Sequence, residues 1–180
     1  MIRLKSLIEV VDTELSRLLA KIKNKQFRLL GAGDNGRVYE IDGEDRVFKI
    51  TRERDEFEVA KVIVGRWTEF TTFVPVYYVD EKQSMYIMAN ANSISAETRT
   101  MITAFLRDFA QYAREQGGEV SIFEYLDNDG ARNIPTKLVN FLRALQQDIL
   151  RTGIVEFDLD LDFSADNVMV WNNKMVLVDW

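Results

Sequence analysis

The stretch that decides the fold reads Leu30-Gly31-Ala32-Gly33-Asp34-Asn35-Gly36-Arg37-Val38. It fits the pattern G-x-G-x-x-G-x-V, although three close glycines are a weak signal alone because they could simply make a turn. A dinucleotide-binding fingerprint has a strand before the glycines and a helix after them. Here β-rich runs lie on both sides, at 27–30 and 37–41, so the sequence predicts a glycine-rich loop between two strands. The missing side chains of such a loop let backbone amides approach phosphate oxygens.

A lysine follows on the next predicted strand. Asp42-Gly43 marks a hairpin into the strand 46–50, because Asp-Gly pairs permit positive φ. Lys49 lies on that strand, thirteen residues after Gly36. It could be a surface residue whose ammonium reaches back to water. The alternative is an ammonium that reaches the α- and β-phosphates of a nucleotide.

Such a lysine needs an anionic partner, which the following helix, predicted at 54–66, can supply. Glu56 precedes the apolar pair Val59-Ala60 by three and four positions, and this phase aims its side chain inward. Glu58 lies on a different face and is expected to be solvated. The sequence therefore predicts a pair between Lys49 and Glu56.

A third pattern lies towards the carboxyl end, where Asp162 precedes Asn167 by five residues and an apolar strand follows. In the D-x-x-x-x-N pattern, the aspartate accepts or orients the attacking hydroxyl and the asparagine amide oxygen holds Mg²⁺. The neighbouring Asp158 and Asp160 suggest a calcium loop as an alternative. Such a loop would need glycine at position 163 and a bidentate acid at position 169, which hold phenylalanine and methionine. A solvated acidic loop would explain the charges but not Asn167.

Composition excludes several classes of site. The chain has 180 residues, of which 47% are hydrophobic and 29% charged, as in globular domains with a core. Its net charge is −6, which argues against wholesale binding to nucleic acid or an anionic membrane. It has no cysteine and no histidine, so disulfides, thiolate sites and imidazole bases are excluded. Phosphoryl transfer suits what remains, because it depends on positioning and charge neutralisation.

Targeting signals are not evident in the sequence. The first residues lack the apolar core of a signal peptide, and no apolar run approaches the length of a membrane span. We therefore expect a cytoplasmic protein.

The rest of the chain reads as helices and short strands. Predicted helices span 2–24, 96–116 and 135–152, and further strands span 74–79, 85–88, 167–171 and 174–179. Ser95 is expected to cap the second of these helices and Gly153 to end the third. Residues 127–130 are expected to form a turn, and Asn172-Asn173 a tight primed turn.

An apolar stripe runs along the first predicted helix, at Leu4, Leu7, Val11, Leu15, Leu18 and Ile22. We expect this stripe to pack on the rest of the domain. A partner-binding surface is the alternative.

The chain resembles the protein kinase-like superfamily over residues 27–180. The resemblance rests on the order and spacing of the glycine loop, Lys49, Glu56 and the Asp162–Asn167 pattern. The resemblance implies an α+β, bilobal fold with an antiparallel sheet in the N-lobe (27–92) and a truncated, mainly helical C-lobe (93–180), preceded by the helix 1–26. Its closer similarity is to divergent serine/threonine kinases of phages and bacterial effectors, which would place the protein in a host cytoplasm.

The resemblance also implies a site for ATP and Mg²⁺. The residues that contact ATP would be Gly31, Ala32, Gly33, Gly36, Val38, Lys49 and Glu56, with Met88 and Asn90 at the adenine-contacting hinge. Asp162 and Lys49 would be catalytic, and Asn167 and Asp179 would hold the metal.

Two departures from the kinase pattern bear on function. The usual His-Arg before the catalytic aspartate is Asp160-Leu161, which removes the partner of an activation-loop phosphate. The usual Asp-Phe-Gly is Asp179-Trp180, and no activation segment or substrate-binding helices follow in the sequence.

The first function hypothesis is a serine/threonine protein kinase, with a protein substrate. The second is a pseudokinase-like module that binds or inhibits a protein partner, and phosphorylation of a small molecule or nucleotidyl transfer is a third.

Overall fold

The computed structural model describes residues 4–118, 120–128, 134–153 and 163–179, with side chains from Thr13 onwards. These residues divide into two compact units. The first comprises the chain up to Gly65 together with Val76–Asn90, and the second comprises Arg66–Pro75 together with the chain from Ala91. The architecture is α+β, with an antiparallel sheet in the first unit and mainly helices in the second, as the sequence predicted.

The first unit is built on a five-stranded antiparallel sheet of order β1-β2-β3-β5-β4. Its elements are α1 (Leu4–Lys23), β1 (Phe27–Ala32), β2 (Gly36–Ile41), β3 (Arg46–Thr51), α2 (Arg54–Ile63), β4 (Val76–Asp80) and β5 (Met85–Ala89). Gly43 has φ 69°, so the loop between β2 and β3 uses the positive φ that the sequence predicted there.

Helix α1 packs on one face of this sheet. Leu18 is buried in a cluster with Ile41, Phe48, Met85 and Ile87. Partly buried apolar residues surround the cluster: Leu15, Leu19, Ile22, Phe27, Tyr39 and Tyr78. The expected packing of the stripe is therefore present over its second half. The side chains of Leu4, Leu7 and Val11 lie outside the described residues.

The second unit is mainly helical with a small three-stranded sheet of order β6-β7-β8. Its elements are β6 (Asn92–Ser93), α3 (Ala96–Glu115), α4 (Ile122–Asn128), α5 (Thr136–Thr152), β7 (Val168–Trp171) and β8 (Lys174–Leu177). Ser95 caps α3 by accepting a hydrogen bond from the Thr98 amide, and Gly153 ends α5 at φ 72°. Asn172 and Asn173 have φ 47° and 63°, which is the predicted primed turn between β7 and β8.

Two expectations about element boundaries are wrong. Helix α2 ends at Ile63 and not at residue 66, because Gly65 adopts φ 71° and the chain leaves the helix there. Asp127 and Asn128 belong to α4 and not to a turn, since the buried Phe123 and Leu126 hold that segment as a helix. The rest of the expected turn, residues 129 and 130, lies outside the described residues.

No described helix is both long enough and apolar enough to cross a membrane.

Candidate functional site

A single row of residues crosses four strands of the first unit. Gly31 on β1 lies opposite Val38 on β2, Val38 lies opposite Lys49 on β3, and Lys49 lies opposite Tyr86 on β5. Directly opposed residues of an antiparallel sheet share a face, and every second residue of a strand shares it too. The row therefore lies on the face opposite to the one that α1 covers, because the covered residues Phe48 and Ile87 are one position out of phase.

The loop between β1 and β2 is tight. The amide of Gly33 donates to the carbonyl of Gly36 at 3.0 Å, and the carbonyl of Asn35 accepts from the amide of Arg52 at 2.8 Å. Ala32 ends β1 and pairs with Arg37. The glycine-rich stretch is thus an ordered β-hairpin turn, joined to the end of β3.

The three glycines differ in what the fold requires of them. A Cβ at Gly36 would lie 2.5 Å from the carbonyl oxygen of Ile50, so the neighbouring strand excludes any side chain there. Among the described residues, none would lie within 4 Å of a Cβ at Gly31 or Gly33, and neither glycine has positive φ. Packing and backbone conformation therefore explain the glycine at position 36 but not those at 31 and 33.

The predicted pair between Lys49 and Glu56 is present. Lys49 Nζ lies 2.5 Å from Glu56 Oε1, and the two residues are 4% and 1% exposed. Glu58, in contrast, pairs with Lys61 at the surface. The helical phase of α2 therefore selects Glu56, and the role of the pair towards a nucleotide stays a prediction.

Two hydroxyls also hold the Glu56 carboxylate. Tyr86 donates to Oε1 at 2.5 Å and Thr51 donates to Oε2 at 2.5 Å. Burial raises the pKa of the Glu56 carboxyl above its ordinary value, while the Lys49 ammonium and the two hydroxyls oppose that rise. Sequence reasoning missed Tyr86 and Thr51. Tyr86 lies directly opposite Lys49, but the sequence alone does not show which residues of β3 and β5 are paired.

The residues predicted for the hinge lie at the end of β5. Met88 is buried opposite Val47, two positions from Tyr86 and on the same face as Lys49. The amide of Asn90 donates to the carbonyl of Asp45 at 3.1 Å. Met88 therefore adds an apolar side chain to the face of the sheet that carries Lys49.

In the second unit, the two predicted metal ligands lie at one end of the β7–β8 hairpin. Val168 pairs with Leu177, so Asn167 and Val178 are opposite each other just beyond the strands. The amide of Val178 donates to the carbonyl of Asn167 at 2.9 Å, and Asp179 follows directly. The pairing register thus brings the backbones of Asn167 and Val178 together, one position before Asp179.

The residue that follows Asp162 is anchored in the helical core. Phe163 is buried, and its ring centroid lies 6.3 Å from that of Phe105 on α3 and 6.3 Å from that of Phe141 on α5. The Asn167 amide donates to Ser164 Oγ at 3.2 Å. Asp162 itself lies outside the described residues, as do Asp158, Asp160 and Leu161.

The described residues contain no group of three or more carboxylates that could hold a metal ion. Asn167 and Asp179 together supply an amide oxygen and a carboxylate. Oxygen donors of this kind fit Mg²⁺, which commonly takes one or two protein ligands and completes its shell with water and phosphate.

Comparisons with known proteins identify a distant structural neighbour. No protein-family model matches the chain, and no curated protein matches it. Among solved structures it is similar to the ternary complex of streptomycin, ATP and APH(2″)-IIa, at 15% identity and a TM-score of 0.37, over 99% of this chain and 71% of that one. A likeness this distant carries no conclusion about activity.

Proposed function

We propose that this chain is a kinase-like phosphotransferase that binds Mg²⁺–ATP and transfers the γ-phosphoryl group to a hydroxyl, with protein serine or threonine as the acceptor class. The observation that carries the proposal is the buried Lys49–Glu56 pair on the strand that follows a glycine-rich hairpin. In kinases, a lysine on the third strand and a glutamate on the following helix form this pair, and it must be in place for transfer.

The stability of the fold does not by itself explain why a buried ion pair is present at this position. Removing two charges from water costs several kcal/mol per ion, and well-packed apolar residues of similar volume are often as stable or more so. The pair of Lys49 and Glu56 lies on a sheet face that apolar side chains could fill. We therefore infer that Lys49 is retained for an anionic ligand.

The glycine-rich hairpin supports the same ligand. Gly31 and Gly33 do not have positive φ, and no residue in the described part of the chain packs closely against them. Lack of side chains at these two positions leaves the hairpin backbone open to phosphate oxygens, which backbone amides bind well. Gly31 shares its row with Lys49, so the open backbone and the ammonium lie on one face of the sheet.

Metal ligands and a base are the remaining parts that transfer needs. Asn167 and Asp179 would hold Mg²⁺, which supplies neutralisation of the charge on the phosphates when it is bound. Asp162 would accept the proton of the acceptor hydroxyl. A new bond would form between the acceptor oxygen and the γ-phosphorus while the bond to the β-phosphate oxygen breaks, and ADP would leave.

Two other functions share the nucleotide site. A pseudokinase-like module would bind ATP without transfer, and a small-molecule kinase would use the same residues on a different hydroxyl. Both differ from the proposed function in what happens to the γ-phosphate, so transfer must be measured separately from binding.

The test is a transfer assay with γ-labelled Mg²⁺–ATP, using casein as protein acceptor, together with nucleotide-induced thermal shift. We expect the wild type to be stabilised by the nucleotide and to label casein, and Asp162→Asn to keep the stabilisation and lose the labelling. Asp166→Asn is the matched control, because Asp166 follows four residues later in the sequence, its side chain is 82% exposed and it pairs with Arg99 on the surface. Stabilisation without any γ-phosphate turnover by the wild type would contradict the enzyme, and release of phosphate without casein labelling would contradict the protein acceptor.

A further inference from the structure

The Glu56 carboxylate is held by donors from two strands of its own unit. Lys49 and Tyr86 both contact Oε1, and Thr51 contacts Oε2, each at 2.5 Å. Lys49 and Thr51 lie on β3 and Tyr86 lies on β5. Hydrogen bonds to charged groups are stronger than those between neutral groups.

The hydroxyl of Tyr86 is the polar part of an otherwise apolar position. Tyr86 is fully buried, and phenylalanine would fill the same volume in the centre of the sheet. A buried tyrosine hydroxyl needs a hydrogen-bond partner, and here that partner is Glu56. The hydroxyl therefore has a specific effect, which is to fix Oε1 beside the ammonium of Lys49.

Thr51 connects the carboxylate to two further elements. Its Oγ1 accepts from the amide of Glu53, directly before α2, at 3.0 Å, and lies 3.2 Å from the carbonyl oxygen of Asn35 in the glycine-rich hairpin. The side chain is 3% exposed. One buried hydroxyl thus contacts the start of α2, the carboxylate on α2 and the turn between β1 and β2.

We propose that Tyr86 and Thr51 are positioning residues that fix the Glu56 carboxylate, and through it the Lys49 ammonium, so that the phosphate-binding pair is assembled before nucleotide binds. This inference rests on the proposed function. It implies that α2 needs no phosphorylated segment or partner to bring Glu56 onto Lys49, because every donor to the carboxylate named here comes from the sheet beside it.

The experiment uses two variants that each lose one hydroxyl, which Tyr86→Phe removes and Thr51→Val replaces with a methyl group. Both variants are close in shape to the wild-type residues. Thr51→Ser keeps the hydroxyl and is the first control. Tyr78→Phe, on the other face of the sheet, is the second control. The readouts are the Kd of Mg²⁺–ATP by calorimetry and the titration of the Glu56 carboxyl carbon by NMR. A purely structural role would leave that titration unmoved.

We expect Tyr86→Phe and Thr51→Val each to raise the Kd by about tenfold, the size of one hydrogen bond to a charged group. Both should shift the Glu56 titration to higher pH, because each removes a donor that favours the carboxylate. Thr51→Ser and Tyr78→Phe should bind as the wild type does.

Contrary results separate this inference from the proposed function. Unchanged Kd and unchanged Glu56 titration in both hydroxyl variants, with a wild type that binds, would overturn the inference alone. A wild type that does not bind Mg²⁺–ATP would overturn the proposed function and this inference together.

Discussion

Lys49 and Tyr86 lie opposite each other on neighbouring strands, and their side chains meet at the same oxygen of Glu56. A cation and a hydroxyl thus share one buried acceptor at the centre of the sheet. This arrangement depends on the pairing of β3 with β5, which are separated in sequence by α2 and β4. The surroundings of the Lys49 ammonium therefore depend on how the strands of the sheet are paired.

Substitutions of the three hairpin glycines should differ in their effect on the free energy of unfolding. Gly36→Ala should lower the free energy of unfolding by about 1–3 kcal/mol, because its Cβ would press on the Ile50 carbonyl. Gly31→Ala and Gly33→Ala should leave the free energy of unfolding almost unchanged, since no residue that the structure describes lies near the added methyl. Urea denaturation measures all three. Equal losses in the three variants would show that Gly31 and Gly33 are glycine for structural reasons.

The ionisation of Glu56 should make stability depend on pH. Burial raises the pKa of Glu56 above its ordinary value of 4.5, so protonation of Glu56 is more favourable in the folded state than in the unfolded state. The stability that this contributes is fully present below 4.5 and is lost as the pH rises through the raised pKa. Relative to Glu56→Gln, the wild type should therefore lose stability as the pH rises from 4.5. Denaturant titrations at a series of pH values test this. A gap that widens in favour of the wild type as pH rises would show instead that Lys49 outweighs burial.

Glu44 should have the opposite pH dependence. It accepts from Arg17 at 2.6 and 2.8 Å and lies 2.5 Å from Lys21 Nζ, so it fastens α1 to the loop after β2. The hydrogen bond from Lys21 is the largest cause that lowers the pKa of Glu44, and Arg17 lowers it further. The stability from Glu44 is therefore present above 4.5 and lost as the pH falls through the lowered pKa.

Glu44→Gln should accordingly cost about 0.5–1 kcal/mol at neutral pH, with the difference vanishing in acid. Glu58→Gln is the matched control, because Glu58 forms a half-exposed pair with Lys61 within one helix. Thermal unfolding at neutral and acid pH measures both. A loss of stability for Glu44→Gln that persists unchanged in acid would rule out the ion pairs as its cause.

Asp148 should be a major determinant of stability in the second unit. Its Oδ2 accepts from the amide and the hydroxyl of Thr72 at 2.9 and 2.8 Å, and it is 1% exposed. Asp148→Ala would leave both donors buried without an acceptor, at a cost of about 2–4 kcal/mol. Gln147→Ala, at the exposed neighbouring position, should change the free energy of unfolding by less than about 0.5 kcal/mol. Denaturation that fails to distinguish the two variants would contradict this role.

The sequence predicted those parts of the site that local periodicity determines. Helical phase distinguishes Glu56 from Glu58, and the position of Lys49 on a strand follows from the hairpin before it. The pairing of Asn167 with Val178 follows from a two-residue turn at Asn172-Asn173, which fixes the hairpin register.

The sequence could not predict features that depend on contacts between distant segments. Tyr86 reaches Glu56 only because β5 pairs with β3, and such pairing leaves no local signal. The same reason hides the buried contact of Asp148 with Thr72, which are 76 residues apart. The two-residue strand β6 pairs with β7 but is too short to produce a pattern.

The central claim is that Lys49 is retained to bind the phosphates of a nucleotide, and calorimetric titration of Mg²⁺–ATP tests it most directly. We predict binding to the wild type, binding weaker by about tenfold or more in Lys49→Ala, and unchanged binding in Lys61→Ala, whose ammonium pairs with Glu58 at the surface. No binding to the wild type, or the same Kd for the wild type and a folded Lys49→Ala, would contradict the claim.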